Sequence, residues 1–277
     1  MKRNIVAILF FLVSLMTTSC TKVDALFSNG EPITEQREID HRFIAISMYN
    51  NVNVKLVHDS HPRLELTCPV NLIGKVTTEI DGDTLYIKNE NEYNWLRSYD
   101  YSIDLTVYYD SLRQINFASV GDLYSSDPIK GMPEMSVDTI GMSIDTTETS
   151  IDTIWDIQTS WVRNFNLNIN EGCGDIDLTL DCDVVKNNFG NGTSKVTLKG
   201  VAEYTEIIMR SYGVVHAENL NSNFVRVQSH STNDAYVWAR TKLTVWLYSI
   251  GNVYYRGNLE PIVLACTSDG QVIPWRP

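Results

Sequence analysis

The chain has 277 residues, 43% of them apolar and 20% charged, with 15 Gly and 8 Pro. This much apolar material excludes a disordered or collagen-like chain, and the length allows one large β domain or two ordinary ones. With 22 Lys and Arg against 34 Asp and Glu the formal charge is −12, and an acidic chain without a basic stripe argues against a nucleic-acid partner, because phosphate contacts need cations.

Lys2 and Arg3 open the chain, residues 5–16 are apolar apart from Ser14, and the small residues Thr17, Thr18 and Ser19 run directly into Cys20. Residues 1–19 therefore read as a secretory signal peptide, too short for a membrane span. Small residues followed at once by Cys resemble the lipobox of bacterial lipoproteins, in a loose form with Thr where Leu often stands. By that resemblance Cys20 is acylated after cleavage and anchors the protein to the bacterial envelope, on its periplasmic or cell-surface face. No other stretch approaches the roughly 20 apolar residues of a transmembrane helix. Residues 20–35 show no period and read as a tether, and residues 36–277 as a single β domain.

Helical periodicity is nearly absent from that domain, whereas period-two alternation rich in Val, Ile, Thr and Tyr is everywhere. Val52-Asn53-Val54-Lys55-Leu56, Leu64-Glu65-Leu66 and Ile103-Asp104-Leu105-Thr106-Val107 alternate. Residues 76–80 and 84–87 flank Asp81-Gly82 and read as a hairpin.

From residue 174 a short pattern recurs. Gly174, Ser194, Gly213, Asn233, Gly251 and Gly270 each lead by two residues into an apolar position: Ile176, Val196, Val215, Ala235, Val253 and Val272, spaced by 20, 19, 20, 18 and 19. A second alternating run lies between them, at Ile207/Met209, Val225/Val227, Val245/Leu247 and Val263/Ala265. Such a unit cannot bury its own apolar face, so neighbours must stack about 4.8 Å apart. The expected fold is an all-β solenoid with rungs of about 19 residues and two main strands per rung. The small lead residues are expected to supply positive φ at corners. A β-sandwich also suits short strands, but the sustained period favours the solenoid.

The runs "NNVNVKL", "CPVNLIGKV", "DGDTLYIKNENEYNWLR", "LRQINFASVGDLYSSD" and "GNVYYRGN" resemble the putative auto-transporter adhesin, head GIN domain family, which is common in lipoproteins of Bacteroides-like bacteria. The resemblance covers about residues 36–130 and 160–275. It implies a right-handed parallel β-helix and an adhesin-like envelope protein, and it carries no catalytic residues with it. The chain departs from that pattern at about residues 134–160. There Asp138-Thr139, Asp145-Thr146 and Asp152-Thr153 repeat at a spacing of seven. These pairs, with Asp83-Thr84 and Asp110-Ser111, resemble the O-glycosylation site of Bacteroides-type exported proteins, so Thr139, Thr146, Thr153, Thr84 and Ser111 are candidate modification sites. The three insert aspartates lack the tight spacing of a calcium loop.

Cys68, Cys173, Cys182 and Cys266 show no metal-ligand spacing. An exported compartment permits a Cys173–Cys182 disulfide, and all four equally suit buried apolar positions. His58-Asp59-Ser60-His61 is too compact for a catalytic triad and reads as a solvated turn before Pro62 rather than a metal site. No nucleophile elbow, P-loop or dinucleotide fingerprint appears, so neither cofactor nor metal is expected.

Reading the repeat in columns places Asp177, Thr197, His216, Tyr236 and Tyr254 in one outward row, and Thr179, Lys199, Glu218, Trp238 and Arg256 in the next. Tyr236, Trp238, Tyr254, Arg256 and Arg240 thus form a candidate binding face for a glycan or a protein, with the C-terminal Pro274-Trp275-Arg276-Pro277 a candidate cover for it. The function expected is a non-enzymatic, membrane-anchored binding module. A polysaccharide-active enzyme working from a β-helix groove and a structural envelope scaffold are the alternatives.

Overall fold

A computed structural model describes residues 28–92, 100–136, 142–143, 154–155 and 160–275. Residues 1–19, read as a signal peptide, and Cys20, Thr139, Thr146 and Thr153 lie outside the described residues. The first half of the chain forms β1 (Pro32–Glu38), β2 (Ala45–Asn50), β3 (Asn53–His58), β4 (Arg63–Pro69), β5 (Val76–Asp81), β6 (Thr84–Asn89), β7 (Asp104–Tyr109), β8 (Gln114–Ser119) and β9 (Leu123–Ser125). Next come β10 (Met132–Ser136), β11 (Met142–Ser143), β12 (Ile154–Trp155), β13 (Ser160–Gly172), β14 (Ile176–Phe189), β15 (Lys195–Met209) and β16 (Val214–Ser229). The chain ends with β17 (Ala235–Leu247), β18 (Val253–Arg256), β19 (Ile262–Cys266) and β20 (Val272–Pro274). β1 starts within the range read as a tether and pairs along its whole length with β4.

The protein is all-β, but it is not the right-handed parallel β-helix expected. The strands form one 18-stranded mixed sheet, curled into a half-barrel, with β11 and β12 apart as a two-stranded pair. Two observations overturn the uniform helix. First, β1–β4, β4–β7, β5–β6 and β10–β13 are antiparallel. Second, β2 sits between β6 and β8, and β3 between β7 and β9, so the first half does not advance one turn at a time. Alternation says which face a side chain takes, not which strand lies beside it or in which direction. The hairpin of β5 and β6 shows the alternative: Asp81 pairs with Thr84 across Gly82-Asp83, and Gly82 takes φ 62°. A two-residue loop with positive φ at its first position turns the chain back antiparallel.

Nor does each period hold two strands. β14, β15 and β16 run unbroken for 14, 15 and 16 residues. β14 pairs with β9 at its start and with β13 towards its end, so one bent strand serves both arms of the curled sheet.

The inward lead positions of the repeat do agree with the strand register. Ile176, Val196, Val215, Ala235, Val253 and Val272 are successive parallel partners, and so are Ile207, Val227, Val245 and Val263. Val215, Ala235, Val253, Ile207, Val227 and Val245 are all buried, within one apolar cluster reaching from Phe43 to Tyr255. The lead glycines are small for a reason other than positive φ. None of Gly174, Gly213, Gly251 and Gly270 takes a left-handed backbone; a Cβ on Gly174 would fall on the carbonyl oxygen of Gly121, and one on Gly251 on that of Asn233. Close approach of neighbouring backbones selects glycine here.

One inward position breaks the apolar column. Asn187, in register between Leu167 and Ile207, is buried, and both polar atoms of its side chain lack a partner. An unpaired buried amide costs roughly 1–3 kcal/mol. Asn187→Val, β-branched like its neighbour Ile207, is therefore expected to raise stability by about that amount. Denaturant unfolding checks it, and a lower midpoint would show that the amide does structural work.

Of the two readings left open for the cysteines, the Cys173–Cys182 disulfide is not formed: Cys68, Cys173, Cys182 and Cys266 are all free thiols. Cys182 points into the core, where its Sγ donates to the Ile129 carbonyl at 3.1 Å and burial pushes its thiol up to about 12; Cys173 is exposed. Two of the four, Cys68 and Cys182, are buried fillers and Cys266 is exposed.

Candidate functional site

Parallel strands in register bring like positions side by side, and β16, β17 and β18 use this to build an aromatic row. His216, Tyr236 and Tyr254 are successive partners whose side chains point away from the core. Their rings stack: His216 on Tyr236 at 4.8 Å and 7°, Tyr236 on Tyr254 at 4.9 Å and 10°. The spacing of strands thus becomes the spacing of rings. Trp238, two residues along β17, is paired with Arg256, whose guanidinium lies 4.4 Å from the indole centroid. That is cation–π distance. Arg240 follows two residues later, exposed on the same side. All five residues proposed from the alternation are brought to one face.

The neighbouring row is arranged differently from the column reading. Lys199 pairs with Asn219 and Trp238 with Asn221, because register shifts in β16 around residues 217–221 carry Glu218 out of the row. Its carboxylate turns to His216, with Oε1 3.2 Å from Nδ1, while Oε2 is buried and has no partner. Bulges re-aim side chains in this way, and no alternation announces them. Lys199 pairs instead with Asp177 at 2.7 Å, an exposed ion pair worth little. Burial, with Asp234, Tyr254 and Glu218 nearby, pushes the Tyr236 phenol up, so it stays protonated and can donate a hydrogen bond.

The sequence reading offered the C-terminal residues only as a cover for this surface and left out a second aromatic set. Trp275 reaches back to Tyr236, with centroids 6.1 Å apart and planes at 72°. A second aromatic set occupies the other arm of the sheet: His230 stacks on Tyr248 at 4.5 Å, and Arg226 lies 4.6 Å over Trp246 while paired with Glu206 at 3.4 Å. The same column alignment, continued through the second run of each period, contains that signal.

The remaining candidates are scattered. His58 ends β3, and Asp59 makes the following turn by accepting from the His61 backbone N–H at 2.9 Å and from Arg63 Nη1 at 2.6 Å. Among the described residues no three His, Cys, Asp or Glu side chains are grouped to hold a metal. Thr84, half-buried at the β5–β6 turn, donates to Asp83 Oδ1 at 3.3 Å, and Ser111 is half-buried beyond β7. A cleft of about 430 Å³ lies at the other end of the sheet, with Ile39, Leu64, Ile80 and Leu85 as its apolar lining and Arg37, Glu38, Asp40 and His41 around it. Among the described residues no helix is long and apolar enough to cross a membrane.

Several solved structures share this fold. A putative adhesin from Bacteroides fragilis NCTC 9343 superposes with TM-score 0.71 at 16% identity, covering 90% of this chain and 99% of that one. A putative adhesin from Parabacteroides merdae ATCC 43184 gives TM-score 0.55 at 16% identity, covering 90% and 98%. A putative lipid binding protein from Parabacteroides distasonis ATCC 8503 gives 0.55 at 14%, also covering 90% and 98%. These likenesses establish a shared fold. No curated protein matches the sequence. The profile of one family matches residues 42–258, from just before β2 to just after β18, and the chain accordingly belongs to the family described as putative auto-transporter adhesin, head GIN domain.

Proposed function

We propose that the protein is a non-enzymatic binding module of the bacterial envelope, held by a lipid on Cys20, that presents the Tyr236–Trp238–Tyr254–Arg256 face to a glycan. The carrying observation is the face itself: aromatic rings in register and a guanidinium on the Trp238 indole, all on paired strands. Aromatic bodies with polar tips recur at binding surfaces. Membership of an adhesin-like family supports an envelope location and a binding role.

Binding to an array of neutral and acidic glycans tests the reading. The wild-type chain should bind a subset. Replacing both Tyr236 and Trp238 with Ala should weaken that binding at least tenfold while shifting the melting temperature by only a few degrees, since both side chains lie outside the core. Full binding by the double variant would contradict the assignment.

A second reading, lipid binding, draws on the name of the Parabacteroides distasonis neighbour and on the cleft lined by Leu64, Ile80 and Leu85. Its volume is within the range of small-molecule sites. Loss of a bound lipid on Ile80→Arg, with the melting temperature kept, would favour it.

A further inference from the structure

Tyr236 has no ring face left to offer a ligand. His216 covers one side and Tyr254 the other, because they stand on the strands that flank it. Trp238 has one face under Arg256. The stacked row therefore turns ring edges and hydroxyls outwards, and a flat ligand cannot lie on it directly.

Trp275 changes this. Its plane is 72° from that of Tyr236 at 6.1 Å. With both Tyr236 faces taken, the indole of Trp275 meets the edge of Tyr236. The indole thus stands at the outer edge of the row. Trp275 is half-buried, and among the described residues no other ring and no cation lies against it. Its position is fixed from behind, since its backbone N–H donates to the Tyr255 carbonyl at 2.7 Å and prolongs the pairing of β20 with β18.

Resting on the glycan reading above, we infer that Trp275 is the stacking platform of the site, taking the apolar face of a neutral pyranose ring while Tyr236, Tyr254 and Arg256 meet its hydroxyls. The chemistry of the surroundings favours a neutral sugar. Arg256 and Arg240 on this face are matched by Asp234 and Glu218 beside the Tyr236 phenol, so the face carries no surplus of positive charge. Trp275 is then part of the site rather than its cover.

The test compares wild type, Trp275→Ala and Trp275→Phe, each as the full chain, on an array of neutral and acidic glycans, with a thermal melt of each variant. The account expects wild-type binding to neutral glycans, at least a tenfold loss in Trp275→Ala, near-wild-type binding in Trp275→Phe, and unchanged melting. Trp275→Ala binding as tightly as wild type would overturn the platform, and binding more tightly would show that Trp275 is a cover; neither outcome would touch the glycan reading. A wild-type chain that binds no glycan at all would overturn that reading itself. Binding confined to acidic glycans would overturn the neutral-sugar assignment alone.

Discussion

Val245→Asp is expected to unfold the protein or leave it barely folded. Val245 is fully buried on β17, with Val227 beside it on β16 and Val263 beside it on β19. An aspartate there would be an unpaired charge among apolar neighbours, at a cost of about 3–5 kcal/mol. Total stabilities of about 5–15 kcal/mol leave little after such a loss. The same substitution one strand further along gives the control. Val263 occupies the same column, yet it is 46% exposed because β19 pairs on one side only. Val263→Asp should therefore cost well under 1 kcal/mol. Thermal or denaturant unfolding of the two variants checks both expectations, and equal effects would show that the column is misassigned.

The second large effect concerns location. Cys20→Ser should move the protein from the membrane fraction to the soluble one. Lipidation contributes about 0.8 kcal/mol per buried CH₂, so two or three acyl chains supply far more membrane affinity than an acidic surface can. The chain carries 34 acidic against 22 basic side chains, which gives it no electrostatic attraction to anionic lipid. Membrane fractionation with a salt wash decides the point. A Cys20→Ser protein that stays in the pellet would show that something else anchors it.

How much of this was legible beforehand depends on the range of the signal. Which side of a strand faces the core is written in period two, and the partners Ile176, Val196, Val215, Ala235 and Val253 follow from it with the repeat spacing. The stacking of Tyr236 on Tyr254 and the contact of Arg256 with Trp238 come with the same register. The placing of β2 and β3 between strands that follow them later in the chain is not local information, and no alternation encodes it. The antiparallel strands escaped for a like reason, apart from the β5–β6 hairpin, whose turn carries its own chemistry. Glycine at 174 and 251 was recognisable as necessary, but its cause, a neighbouring carbonyl oxygen, belongs to the folded backbone. The displacement of Glu218 depends on a shift in pairing, and the edge-to-face contact of Trp275 depends on where the chain's last strand ends.

The central claim is that the aromatic face of β16, β17 and β18, together with Trp275, is where the protein meets its ligand. Hydroxyl-radical footprinting of the wild-type chain, with and without a glycan that it binds, measures this directly. The account predicts protection concentrated at Tyr236, Trp238, Tyr254 and Trp275, with the second aromatic set at Trp246 and Tyr248 and the cleft around Leu64 and Leu85 unchanged. Protection at that cleft or at Trp246, with the four predicted residues as reactive as before, would contradict it.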